Sequence, residues 1–171
     1  MILCAIDPGS DQSAFVQYDT TTRRVVLHAI EFNDQILTRL AQPSRWPLVI
    51  ESFESYGMAV GAEVFRTVWW SGRFFQAWRG PAYQLPRRTV KLHLCHSVRA
   101  TDANVRTAIV DRFGATKAEA IGTKKAPGPL YGLKSHCFAA LAVALTWAET
   151  HEQETPTRAP DRPLVVDRPL A

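Results

Sequence analysis

A mixed α/β layer, one sheet with helices flanking it, is the fold class this sequence predicts, and three observations carry it. Three strand-like runs, "ILCAI", "SAFVQYD" and "RRVVLHAIEF", follow one another at the start of the chain, which is the pattern of an antiparallel meander. A later run, "WPLVIESF", is apolar without alternation and therefore reads as a central strand covered on both faces. Segments of helical spacing lie between and after these runs, the longest being "AEVFRTVWWSGRFFQAW" and "SHCFAALAVALTWAETH".

Taken in order, the first strand stops at Asp7, Pro8 and Gly9, and the Thr-rich turn "DTTT" joins the second to the third. A short helix is expected over residues 34–41, then the "PLVIESF" strand with Glu51 near its end, then a loop and a helix over 62–77 stopped by Gly80 and Pro81. "RRTVKLHLCHSV" alternates and reads as the next strand. "TDANVRTAIVDRFG" is a helix with Thr101 or Asp102 as cap, an apolar face of Val105, Ala108, Ile109 and Phe113, and Gly114 as stop. A basic Gly/Pro-rich loop, "GTKKAPGPLYG", leads to a last helix capped by Ser135. One domain is expected over residues 1–151, and the Pro-, Arg- and Asp-rich stretch 152–171 reads as a mostly disordered tail.

With 46% apolar and 21% charged residues, the 171-residue chain has the composition of a globular domain that builds its own core. No apolar run approaches the ~20 residues of a membrane span. Met1 leads straight into a strand with no basic leader, so the expected place of work is the cytoplasm. Cys4, Cys95 and Cys137 are odd in number and set in apolar sequence, which argues for reduced thiols. "HLCH" and "SHC" offer zinc ligand types without the paired spacing of a structural zinc site.

The net charge of +4 hides an asymmetry. Between Arg87 and Lys134 ten Lys/Arg face three acids, so this segment carries +7 and the remainder is acidic. Such a segment is either the footprint of a polyanion or a solvated basic face.

The informative residues are two acids at strand ends. Asp7 forms either an Asx-type turn with Pro8 and Gly9 or a charge placed for chemistry. Glu51, embedded in "LVIESF", is costly to bury without a partner. If their strands are neighbours, the two carboxylates meet and repel unless a cation separates them, and oxygen donors of this kind suit Mg²⁺ or Mn²⁺. His136, at the start of the last helix, is either a third ligand from another element or an exposed helix-terminal histidine.

In order, the pieces "ILCAIDPGS", "PLVIESF", "YGMAVGAEVFRTVWWSGRF" and "GPLYGLKSHCFAALAVALTW" resemble the RuvC-like Holliday-junction resolvases of the RNase H-like superfamily, above all the small forms of phage and prophage sequences. The resemblance implies an RNase H-like mixed sheet, an antiparallel three-strand meander plus parallel strands. It further implies a homodimer acting on branched DNA in a bacterial or phage-infected cell, and two Mg²⁺ ions (or Mn²⁺) driving phosphodiester hydrolysis. On this chain it implies Asp7 as the bridging ligand, Glu51 as the second acid and His136 as a third ligand, the three together forming the catalytic set. One departure follows: the family shows a further Asp one turn after His136, where this chain has Ala139. Glu54 is the speculative substitute, with Asp102 and Asp11 behind it, Asp102 reading better as a helix cap.

Lys124, Lys125 and Lys134, around the loop before His136, are expected to contact DNA phosphates, with Arg87, Arg88, Lys91 and Arg99 extending the same groove or serving as solubilising charge. Tyr56 and Met58 are the expected wedge at a junction centre. The helix over 62–77 carries too many bulky apolar groups for one stripe, so a core face and a partner face are expected. Two rivals stand beside this reading. An actin-like ATPase would need a second phosphate loop and a longer chain. A catalytically weakened RNase H-like module that binds branched DNA is favoured by Ala139.

Overall fold

Strand propensity and turn chemistry act together in the first third of the chain. β1 (Ile2–Asp7), β2 (Gln12–Asp19) and β3 (Arg24–Phe32) pair antiparallel as the expected meander. The computed structural model describes residues 1–151 except 43, 56 and 58. After α1 (Asn33–Leu40), β4 (Leu48–Ser52) lies parallel to β1, and after α2 (Ala62–Ala77), β5 (Ala82–Pro86) lies parallel to β4. The remainder is helical: α3 (Arg87–Cys95), α4 (Asp102–Phe113), α5 (Lys117–Ile121) and α6 (Ser135–His151). The sheet order is β3-β2-β1-β4-β5, mixed and five-stranded.

Both faces of the sheet are covered, and the twofold alternation of strand side chains sorts residues between two cores. Leu3, Ala5 and Val49 pack toward α3, α4 and α6, with Leu94, Ile109 and Leu141 among their partners. Cys4, Ile6, Leu48 and Ile50 point the other way, onto Ile36 and Leu40 of α1 and Phe74 of α2. α6 is apolar nearly all round, with eleven of its residues buried, because it lies between the sheet and α3 and α4.

The Asp-Pro-Gly stop of β1 is held by a ring of polar contacts. The Gly9 N–H donates to Ser13 Oγ at 3.1 Å, Ser13 Oγ donates to Asn33 Oδ1 at 2.6 Å, and Asn33 Nδ2 donates to the Gly9 carbonyl at 3.0 Å. Ser13 and Asn33 are buried, so these bonds satisfy groups that would otherwise be expensive. Only glycine fits at position 9, since a Cβ there would stand 2.2 Å from the Gln12 carbonyl oxygen. The turn thereby fixes where β1 ends, and Asp7 with it.

Two expectations need correction. "RRTVKLHLCHSV" is helix α3 from Arg87, and the fifth strand is the preceding "AYQLP". Val90, Leu92 and Leu94 alternate as in a strand, yet only Val90 and Leu94 are buried, one helical turn apart, while Leu92 is exposed. β5 is an edge strand with only Leu85 buried, too little pattern to announce itself. The last helix takes its first bond at the Lys134 carbonyl, from Phe138 N–H, so Lys134 holds the cap position and Ser135 the first turn. Cys4, Cys95 and Cys137 are free thiols. Among the described residues no helix is long and apolar enough to cross a membrane. The stretch assigned as a tail, 152–171, lies outside the described residues.

Candidate active site

Register brings the two acids together. β1 and β4 run parallel with Ile6 opposite Ile50, so Asp7 and Glu51 are the next residues along neighbouring strands. By parity each lies on the α6 side of the sheet, with Ala5 and Val49, and their carboxyl groups share a hydrogen bond. Glu51 is 3% exposed, the most deeply buried acid of the site. Burial first, and the neighbouring Asp7 charge second, push Glu51 from its ordinary 4.5 up to about 8, against the opposing pull of Arg87. Burial pushes Asp7 from 3.8 up to about 6, with the Glu51 hydrogen bond and the Arg87 charge working the other way. Near neutrality the pair therefore keeps a proton.

Arg87 closes one side of the pair. Its Nη1 lies 2.9 Å from both Glu51 oxygens, and its Nη2 bonds Asp102 Oδ1. On the other side the ring of His136, from the first turn of α6, sets Nδ1 3.3 Å from Asp7 Oδ2. These groups line a cleft of about 570 Å³ that holds Asp7, Glu51 and Asp102 together with Arg87, Lys91 and Arg106. Ala139 lies on the same wall, and Arg106 stacks over the Phe138 ring with Cζ 4.6 Å from its centroid.

The other sequence-predicted residues spread outward. Glu54 and Arg88 line an adjoining hollow of about 390 Å³ that shares Phe53, Arg87 and Lys91 with the cleft; Glu54 is not on the wall that carries Asp7. Lys124, Lys125 and Arg99 are exposed, as is Lys134 just ahead of α6. Asp11 pairs with Arg66 at 3.5 Å on the surface. Tyr56 and Met58 lie outside the described residues. Sequence reasoning underrated Asp102 and misjudged what Arg87 faces. Thr101 is the true cap of α4, its Oγ1 accepting from Asn104 N–H at 3.3 Å, which frees Asp102 for Arg87. The "TD" pair contained that signal, since two capping residues in succession leave one without the task.

The donor set fits a divalent cation at its centre. A buried and a part-buried carboxyl close enough to share a proton are relieved by a cation that displaces it, and oxygen ligands match Mg²⁺ and Mn²⁺. Among the described residues no three His, Cys, Asp or Glu side chains are drawn together as a ready metal cage, because Glu51 is turned onto Arg87 and His136 is 70% exposed.

The same architecture occurs in solved structures. The Thermus thermophilus RuvC structure matches with a TM-score of 0.62 at 20% sequence identity, over 90% of this chain and 96% of that one. T. thermophilus RuvC in complex with Holliday junction substrate matches with a TM-score of 0.59 at 19% identity, over the same shares of each chain. The fold is thus the RuvC-like, RNase H-like mixed sheet flanked by helices. No protein-family model matches the chain, and no curated protein matches it by sequence.

The raised pKa of Glu51 has a measurable sign. Between about 4.5 and about 8 the folded chain holds more protons at this group than the unfolded chain does. Its contribution to stability is complete below that window and is lost as pH rises through it. In urea unfolding with a chelator present, the wild type loses stability from pH 5 to 8 relative to Glu51→Gln, which carries no such proton. Parallel profiles for the two proteins would show that Glu51 titrates normally.

Proposed function

We propose that this chain is a divalent-metal-dependent endonuclease that cuts branched DNA, with the four-way Holliday junction as its first substrate class. The observation that carries this reading is the Asp7–Glu51 pair, with Glu51 buried, in a cleft also lined by basic side chains, in a fold shared with a RuvC seen in complex with Holliday junction substrate. Asp7 and Glu51 would hold the ion, Mg²⁺ or Mn²⁺, and His136 stands beside Asp7 as the third donor. When bound, such an ion supplies Lewis acidity toward the scissile phosphate.

The chain's own groups do the rest. Lys91 and Arg106 present positive charge along the cleft and fix the phosphodiester against the carboxyl pair. Lys134, one residue ahead of α6, and Lys124 and Lys125 on the preceding loop hold the DNA backbone outside it. The stacking of Arg106 on Phe138 restricts its guanidinium, so less freedom is lost when phosphate arrives. A second reading, a weakened module that binds branched DNA without cutting it, draws on Ala139, one turn after His136 in α6, and on the tie between Arg87 and Glu51.

α2 supports a homodimer. Its inner face buries Thr67, Ser71 and Phe74, while Phe65, Val68, Trp69 and Phe75 stand exposed on the helix. Arg73 lies over the rings of both Trp69 and Trp70, at 4.7 and 4.3 Å. An apolar face of this kind, left on a two-sided helix, pairs with a second copy about a twofold axis and matches a DNA branch of twofold symmetry.

Three outcomes test the proposal. With a synthetic four-way junction and Mg²⁺, the wild type nicks symmetrically and Asp7→Asn still shifts the junction in a gel without nicking it. Wild-type binding with no nicks in either Mg²⁺ or Mn²⁺ decides for the non-cutting module. Replacing both Lys124 and Lys125 by Ala lowers the slope of log affinity against log salt by about 2, one per lost phosphate contact; an unaltered slope removes these lysines from the interface. In sedimentation velocity Trp69→Glu runs as a 19.1 kDa monomer where the wild type runs at twice that mass, and identical profiles would place the dimer contact elsewhere.

A further inference from the structure

We propose that the Arg87 guanidinium is the resident second cation of this site, so that the chain takes one divalent ion where its family resemblance implies two. The inference rests on the metal-dependent reading above and concerns how many ions that site admits. Arg87 faces both oxygens of Glu51 at equal distance and reaches Asp102 with its other nitrogen, so it bridges two carboxylates as an ion between them would.

Its placement is built into the backbone. Leu85 is paired across β5 and β4 with Glu51, Pro86 caps α3 in an extended conformation, and Arg87 is the first helical residue. A cation at a helix N-terminus works against the helix dipole, and here the two carboxylates offset that cost. Asp102 sits at the N-terminus of α4, where a negative charge is favoured, and reaches toward Arg87 from there.

Charge balance sets the ion count. Three carboxylates and three cationic side chains line the cleft, so with every group ionised these side chains cancel. One divalent ion then gives +2, which matches the two negative charges of a phosphodiester under attack by hydroxide. Two ions would leave twice that charge. The first residues of α3, α4 and α6 also line the cleft, so three helix dipoles add further positive potential. Ala139 agrees with this count: the wall of α6 that would need an acid for a second ion has a methyl group.

Mn²⁺ titration of the full-length protein without DNA, followed by electron paramagnetic resonance and by calorimetry, reads this directly. One ion per chain is expected for the wild type and for Arg87→Lys, which keeps the charge. Two are expected for Arg87→Ala, which leaves Glu51 and Asp102 without their cation. Two ions on the wild type, or one on a folded Arg87→Ala, would overturn the proposal while leaving a metal-dependent nuclease intact. A wild type that binds no Mn²⁺ would overturn both.

Discussion

The parallel alignment of β1 with β4 is the constraint from which the rest of the site follows. Setting Ile6 opposite Ile50 leaves Asp7 and Glu51 no choice but to stand beside one another on the side of the sheet that faces α6. A slip of one residue in either strand would turn its acid toward α1 and α2. The apolar residues that precede each acid, buried on both faces, hold the alignment by a hydrophobic pattern that has no equally good alternative. The cost of bringing two carboxyls together under this cover is carried by a shared proton and by Arg87.

Electrostatics in the cleft is therefore a matter of balance. An isolated buried acid would be neutral and inert toward a cation, and a pair without a counter-charge would strain the fold. With Arg87, Lys91 and Arg106 lining the same cleft, the pair has counter-charge at hand. His136 stands mostly in solvent, with its Nδ1 3.3 Å from Asp7 Oδ2.

Much of this was legible in the sequence. The meander, the central strand with its terminal Glu51, the helix over 62–77 and the apolar last helix each have a period or a stop that survives folding unchanged. Asp7 and Glu51 were visible because an acid at the end of an apolar run is costly to bury unless it meets a partner there. The switch from β5 to α3 was hidden by a local coincidence, since "VKLHL" satisfies a twofold and a nearly fourfold spacing at once and only burial separates them. Arg87 was hidden for a different reason: an arginine reads as a phosphate contact or as solvated charge, and its true partners lie thirty-six residues before and fifteen residues after it. Contacts made across the fold, between ends of separate elements, leave no periodic trace.

The ring of Gly9, Ser13 and Asn33 carries a consequence for how this protein tolerates change. Position 9 supplies no donor to a substrate and no charge to the cleft, yet it has no room even for a methyl group, and its backbone is tied to the start of α1. In a saturation mutagenesis screen it should be as unforgiving as the acid two residues before it, an architectural site that behaves, in genetic terms, like a chemical one.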